Sequence, residues 1–394
     1  MVQDVLNITS LIESVNEEVI GWRRHLHMHP ELSFQEENTA QFVYETLQSF
    51  GNLELSRPTK TSVVARLIGG QPGKVLGLRA DMDALAIEEE NDFEFSSKVP
   101  GVMHACGHDA HTAMLLGTAK ILTSMKESIK GEVRFVFQHA EELHPGGAQE
   151  MVKAGVLDGV DCMVGLHLMS TIPVGNIVLN YGPVTANSDR FDIVIKGKGG
   201  HSSQPENAID PLVIGAQVVT NLQQVVARNA SPQDKLVLSV TNFHAGLGAY
   251  NVIPDSVKLS GSVRSFGEDV RKLTVTSMER IIKGITEAHG ATYEFDYRYG
   301  YGSVMNDENI TKLVEETILE QWEENPLLEM PPLMGGEDFS AFSNEVPSCF
   351  VMVGAGNEDK GIIYPHHHPR FTVDEDSFKD GVKLFVHTVK KILG

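Results

Sequence analysis

Several side-chain types that hold metals crowd into one short stretch of this sequence, Met103-His104-Ala105-Cys106-Gly107-His108-Asp109-Ala110-His111. Thiolate, imidazole and carboxylate together are the donor inventory of a transition-metal site. More donors follow. Glu141-Glu142 and His167 each come just after an apolar run, and Tyr364-Pro365-His366-His367-His368-Pro369 adds three imidazoles. Taken singly, each has an ordinary explanation. Adjacent glutamates often mark a solvated turn, a lone histidine after a strand is often a hydrogen-bonded core residue, and a cysteine can be a small buried hydrophobe. A Cys-x-His pair is also short enough to arise by accident. Their joint occurrence, after separate apolar runs and in two His-rich loops, favours a metal centre.

To converge, these residues need elements that end at one edge. Lys74–Leu78, Glu132–Phe137, Asp161–Gly165 and Cys349–Val353 read as buried strands bounded by glycine or charge. Thr112–Met125 and Asn309–Trp322 read as helices between them. Such alternation predicts an α/β domain with a mostly parallel central sheet, whose ligands collect beyond the carboxyl ends of the strands. The first strand runs into Arg79-Ala80-Asp81-Met82-Asp83, the second into Gln138-His139-Ala140-Glu141-Glu142 and the third into Leu166-His167. Ahead of them, Val5, Ile8, Leu11, Ile12, Val15, Val19 and Ile20 recur at helical spacing. The middle of the chain changes character. Arg190–Ile195, Leu236–Thr241, Val257–Val263 and Thr292–Arg298 read as strands, with helices at Ile209–Val226 and Val270–Ala288. That order is βαββαβ, a ferredoxin-like pattern. A domain of 187–298 is therefore expected to interrupt a larger one made of 1–186 and 299–394.

The 394 residues carry 32 Lys+Arg against 53 Asp+Glu, a net charge of −21, which repels phosphate backbones and argues against nucleic acid as a partner. Only Cys106, Cys162 and Cys349 are present, too few for a disulfide framework and suited to a reducing compartment. No apolar run is long enough for a membrane span, and the acidic N-terminal stretch lacks the basic start of a secretory leader. A cytoplasmic protein is expected, so the sequons at Asn7 and Asn309 read as chance matches. Gly69-Gly70-Gln71-Pro72-Gly73-Lys74 lacks the first glycine and the Ser/Thr of a phosphate loop, and Gly354-Ala355-Gly356 lacks the third glycine of a dinucleotide fingerprint.

Trp22-Arg23-Arg24-His25-Leu26-His27 and Pro30-Glu31-Leu32 are followed in order by RADMDAL from Arg79, MHACGHDAH from Met103, HAEE from His139, GLH from Gly165, GKGGHSS from Gly197, NVIPD from Asn251, GEDFS from Gly336 and HHPRF from His367. Together these motifs closely resemble the M20 metallopeptidase family, in its aminoacylase, hippurate hydrolase and N-acetyl-amino-acid deacetylase branch. The resemblance covers nearly the whole chain. It implies a zinc-peptidase-like catalytic domain with an inserted lid and dimerisation domain, and two divalent metal ions per subunit. By position it makes Cys106, His108, Glu142, His167 and His367 the metal ligands, with Cys106 bridging both ions. Glu142 and His367 then complete one site, His108 and His167 the other.

On the same resemblance Glu141 is the general base, and a carboxylate free of metal is indeed the better base of an adjacent pair. Both glutamates can face one site only where a strand gives way to a turn, which Pro145-Gly146-Gly147 would supply. Many members of the wider family begin the site with His-x-Asp, whereas Asp81-Met82-Asp83 stands here. Asp81 is read as a carboxylate that orients a ligand or the bridging water, and Asp83 as structural. His25, His27 and His29 read as packing, His104, His111, His366 and His368 as loop or supporting residues, and Cys162 and Cys349 as core. His139 could equally hydrogen-bond in the site or stand apart from it. From the inserted domain, the resemblance brings His201 to the partner subunit's active site to hold the oxyanion, and Asn251 and Arg264 to the substrate.

The activity implied is hydrolysis of N-acyl amino acids, N-acetyl or N-aroyl, by a metal-bridged water with Glu141 as base. A peptidase using the same site on dipeptides or short peptides is the alternative. Ligand softness favours Zn²⁺, and the resemblance admits Mn²⁺, Co²⁺ or Ni²⁺. Exposed edge strands in the inserted domain would pair across a two-fold axis, so a homodimer is expected, or a tetramer made of two such dimers.

Overall fold

The computed structural model describes residues 2–394, with side chains from Ile8 onward. Contacts divide the chain into two compact units. One gathers the chain up to Val184 together with Val304–Pro331 and Asp338–Gly394, and the other comprises Thr185–Ser303 with Pro332–Glu337. The detached piece Pro332–Glu337 returns to the second unit through the amide of Ala186, which donates to the carbonyls of Leu333 and Gly335.

The first unit is built on an eight-stranded sheet in the order Glu54–Ser56, Val63–Ile68, Lys130–Gln138, Gln71–Asp81, Cys162–Pro173, Ser348–Gly356, Ile177–Val178, Leu327–Leu328. Its centre is parallel: Gln71–Asp81 lies between Lys130–Gln138 and Cys162–Pro173, and the latter pairs with Ser348–Gly356. Val63–Ile68 and Ile177–Val178 join antiparallel at the flanks. The central strands are buried over most of their length, as expected of strands covered on both faces. Helix His108–Ser124 is buried at nearly every position, because it runs through the core rather than over it. Ile8, Ile12, Val15 and Val19 of helix Val2–Met28 seal the same core, while Val5 of that repeat falls outside the described side chains.

Two differences from the sequence reading bear on the site. Strand Cys162–Pro173 continues well past Gly165, so His167 stands within it, opposite Met352 of the neighbouring strand, and not beyond its end. Helix His108–Ser124 begins four residues earlier than Thr112, so His108 and His111 lie in its first turn. Helices Glu37–Phe50 and Ser377–Leu393, and the antiparallel strand Val63–Ile68, are further elements of this unit.

The second unit carries a four-stranded antiparallel sheet in the order Leu236–Ala245, Ser256–Ser265, Asn187–Lys196, Thr292–Arg298. Phe191, Ile193 and Ile195 alternate inward from the central strand. They pack with Ile214, Val218 and Leu222 of helix Pro211–Gln224 and with Met278 and Ile282 of helix Glu268–Ala288. This is the βαββαβ ferredoxin-like arrangement. Among the described residues no helix is long and apolar enough to cross a membrane.

Candidate metal centre

At the carboxyl edge of the parallel sheet, ligand atoms of Cys106, His108 and His167 lie within 4.8 Å of one another. Those of Cys106, Glu142 and His367 do the same, so the two triads share one sulfur. The Cys106 Sγ is 3.6 Å from His167 Nε2, and His367 Nε2 is 3.2 Å from Glu142 Oε1.

Each imidazole is turned so that one nitrogen faces the cluster. His167 Nδ1 lies 2.8 Å from the carbonyl of Leu168, to which it donates, leaving Nε2 as the lone-pair nitrogen. His108 Nδ1 donates to the carbonyl of Asp83 at 2.9 Å and lies 3.2 Å from its Oδ1. The opposite nitrogen, His108 Nε2, is buried without a hydrogen-bond partner, and Glu142 Oε1 is buried with its ion-pair contact to His367 but no hydrogen bond. Buried polar atoms are rarely left unpaired, so an orphan imidazole nitrogen beside a carboxylate oxygen that accepts no hydrogen bond points to a group that they bind together. The backbone supports His367 as well, since it holds a left-handed φ of 65° and donates its N–H to the carbonyl of Ala105.

Electrostatics lead to the same conclusion. Burial, then the charges of Glu142, Glu141 and Asp81, push the Cys106 thiol well above its ordinary range. Burial alone would lower the pKa of His108, but Asp81, Asp83 and Glu142 outweigh it and raise it to about 10. His167 is held neutral, its pKa driven well down by burial and by His111 and His366. So much buried acid around a thiol calls for cations, and divalent ions held by these five side chains fit the donor set. The carboxylate of Glu141 lies within 4.8 Å of the ligand atoms of His108 and Glu142, yet belongs to neither cysteine triad.

The Glu141-Glu142 turn follows strand Lys130–Gln138, and its fasteners come from elsewhere. Asp83, buried, accepts the backbone N–H of Glu141 on Oδ1 at 3.1 Å and that of Glu142 on Oδ2 at 3.0 Å. Ser33 donates to Oδ2 at 2.6 Å. Burial works to raise the Asp83 pKa, but the contacts with His108, Ser33 and the Glu142 amide bring it below its ordinary value. Downstream, the chain turns through the cis peptide His144-Pro145 to Gly147. A Cβ on Gly147 would lie 1.8 Å from the carbonyl oxygen of His139, so only glycine lets the backbone pass.

Asp81 sits at the end of its strand with Oδ1 2.7 Å from His111 Nδ1, while Arg79 donates to Oδ2 at 2.7 Å. His111 Nε2 accepts the N–H of Leu168 at 2.9 Å, which fixes its proton on Nδ1. Behind this pair, Arg79 also donates to Gln138 and to Asp338 of the GEDFS stretch, and Gln138 donates to Asp338 in turn. His366 lies 3.8 Å from Cys106 Sγ, with a pKa lowered to about 3 by burial and then by His111 and His367. Asp83, His111, Arg79 and Asp338 are the contributors that the sequence reading underweighted. Two of them have a sequence signal: His111 stands three residues from the candidate ligand His108, and Asp83 two residues from Asp81.

The remaining histidines separate cleanly. His27 is buried between Asp109 at 2.7 Å and Glu89 at 3.1 Å, whereas His25 stacks on Phe42 and lies beside His29. His104 is buried, and His368 stacks on Tyr364. His139 approaches Glu150 at 2.9 Å and Thr59 at 3.4 Å, and Cys162 and Cys349 are core residues. In the second unit, His201 pairs with Val252 in a two-residue ladder, which places it next to Asn251, and Ser203 donates to its Nδ1. Arg264 lies in strand Ser256–Ser265 opposite Ser188, and its pKa is lowered by burial and then by Arg190.

Comparison with known proteins identifies the family. The model of peptidase family M20/M25/M40 matches residues 77–391. An N-acyl-L-amino acid amidohydrolase from Geobacillus stearothermophilus is 64% identical over 299 residues, covering 76% of this chain and 80% of that one. Thermostable carboxypeptidase 1 from Saccharolobus solfataricus is 41% identical over 373 residues, 94% of each chain. Among solved structures, a dinuclear metal-binding M20 peptidase from Bacillus subtilis superposes with a TM-score of 0.85 at 36% identity, covering 97% of this chain and 99% of that one. The chain belongs to the M20/M25/M40 peptidase family and is a hydrolase of amide or peptide bonds.

Proposed function

We propose that this hydrolase removes the acyl group from N-acyl-L-amino acids, with Cys106, Glu142 and His367 holding one divalent ion and Cys106, His108 and His167 the other. The observation that carries this reading is the shared sulfur of two ligand triads, with His108 Nε2 buried and unpartnered and Glu142 Oε1 buried against His367 inside them. Kinship to an N-acyl-L-amino acid amidohydrolase supports the substrate class. When bound, the two cations supply Lewis acidity for the carbonyl and for water; the thiolate and imidazoles suit Zn²⁺, and the carboxylate is the donor that would take Mn²⁺.

Glu141 takes the proton of the attacking water and returns it to the departing amine nitrogen. Asp83 holds His108 and the amides of both glutamates, and Asp81 holds His111 from the other side. His201, with Asn251 beside it, stabilises the oxygen of the carbonyl under attack, and Arg264 pairs with the carboxylate of the amino acid. An incoming carboxylate would offset both influences that lower the Arg264 pKa. In this proposal His201 acts on the partner subunit of a dimer joined through the edge strands of the four-stranded sheet. Co-assembling a Glu141→Gln subunit with a His201→Ala subunit should then restore one working site, and an inactive verified heterodimer would oppose the trans role.

A second reading, cleavage of peptides from the carboxyl end, is favoured by kinship to a thermostable carboxypeptidase. Metal-stripped protein reconstituted with Zn²⁺ or Mn²⁺ decides between them on N-acetyl, N-benzoyl and dipeptide substrates of L-amino acids. Amine release from the acyl substrates bears out the proposal. Release from peptides alone replaces it with the second reading.

A further inference from the structure

Three consecutive backbone amides, those of Ala140, Glu141 and Glu142, end on buried carboxylates. Asp83 takes the last two, and Glu36, a residue remote in sequence, takes the first at 2.8 Å. Glu36 is fully buried just before helix Glu37–Phe50, at a position where a side chain commonly caps the helix, yet it makes no cap. Its Oε1 instead accepts two amides, that of Phe34 at 2.9 Å and that of Ala140.

Both donors belong to residues in an uncommon conformation. Phe34 has a φ of 65° and Ala140 a φ of 50°, the left-handed region that residues with a Cβ seldom adopt without support. The two sites are one structure. The ring of Phe34 packs edge-on against His139, with centroids 5.6 Å apart, and Ser33 donates to Asp83. Residues 33–36 thus form a strap under the turn that delivers the two glutamates. Geometry explains why that turn needs a left-handed residue. Side chains alternate along a strand, so Glu141 and Glu142 can share one site only if the backbone rotates between strand Lys130–Gln138 and the pair. Ala140 makes that rotation, and its carbonyl is held in turn by the N–H of Gly147.

We infer that Glu36 is a positioning residue of the hydrolytic site: by gripping the Ala140 amide it fixes the left-handed turn that aims Glu141. This rests on Glu141 being the base. It makes the aim of the base depend on a segment that contributes none of the proposed metal ligands.

The test compares Glu36→Ala, Glu36→Gln and Glu141→Gln as metal-loaded protein on the N-acyl-L-amino acid that the wild type turns over fastest. Misplacing a reacting group by about 1 Å costs up to ~100-fold in rate, so Glu36→Ala is expected to lose ~10- to 100-fold in kcat with KM and bound metal unchanged. Glu36→Gln keeps the acceptor oxygen and should hold kcat within about 3-fold, well short of that loss. A glycine at 140 adopts positive φ without strain, so adding Ala140→Gly should recover part of what Glu36→Ala loses. If Glu36→Ala does not fold, Glu36→Asp replaces it: one methylene shorter, it cannot reach both amides and should lose kcat. Unchanged kcat in Glu36→Ala, or no recovery in the double variant, overturns the inference. An active Glu141→Gln instead overturns the assignment of the base, so the two failures are told apart within one experiment.

Discussion

Asp83→Asn changes one atom, and the structure indicates that it will not be silent. Each carboxylate oxygen of Asp83 faces a backbone donor: Oδ1 the amide of Glu141, Oδ2 the amide of Glu142. Whichever way the asparagine amide is placed, its NH2 group meets one of those N–H groups. The hydroxyl of Ser33 can rotate to accept from the NH2 group, but a backbone amide cannot. One buried N–H therefore loses its acceptor, at ~1–3 kcal/mol. His108 keeps part of its support, since its Nδ1 also donates to the Asp83 carbonyl at 2.9 Å. Supporting partners of ligands are worth ~10- to 100-fold in metal affinity, and the retained carbonyl bond puts the expected loss near ~10-fold. Urea unfolding of the metal-free protein at pH 7 measures the first quantity, and competition with a chelator the second. A destabilisation below ~0.5 kcal/mol, the range of an indifferent surface change, together with unchanged metal affinity would refute the argument.

Glu141→Gln should abolish turnover by at least ~10²-fold while two ions stay bound, because the amide cannot accept the proton; metal analysis beside the amine-release assay checks both halves. Cys106→Ser should lose both ions together rather than one, since a single sulfur belongs to both triads; a variant that retains one tight ion would show that the triads are independent. Glu36 gives a pH dependence. Burial and then the charge of Asp83 raise its pKa to about 7, above the ordinary carboxylate value. Because ionisation is disfavoured in the folded state, stability falls as pH climbs from the unfolded value through about 7. Glu36→Gln removes that loss, so in metal-free protein it should gain up to ~2–3 kcal/mol on the wild type between pH 5 and pH 8; an equal difference at both pH values would contradict it.

The parts of this molecule that were legible in its sequence are those where chemistry and periodicity coincide. Apolar runs marked the four central strands of the parallel sheet, and the donors clustered after them. What the sequence hid follows from two physical causes. The first is extent. Strand Cys162–Pro173 is buried without a break only from Cys162 to Leu166 and alternates from there to Pro173, so its apolar run ended early and His167 seemed to lie past the strand. Likewise the start of helix His108–Ser124 carries no capping side chain, only Gly107 at a φ of 99°. The second cause is pairing at long range. Asp81 and Asp83 are equivalent in sequence, two acids beyond one strand, and alternation sends them to the same side. Only the fold separates their tasks, by laying His111 against one and His108 with the Glu141-Glu142 amides against the other. Spacing shows where a donor is available but not which lone pair it will present. The free nitrogen of each imidazole is set by what holds the other: the Leu168 carbonyl for His167, the Asp83 carbonyl for His108, and for His111 a backbone amide that occupies the lone pair itself. That last bond is why His111, as close to the cluster as its neighbours, keeps no lone pair for a metal.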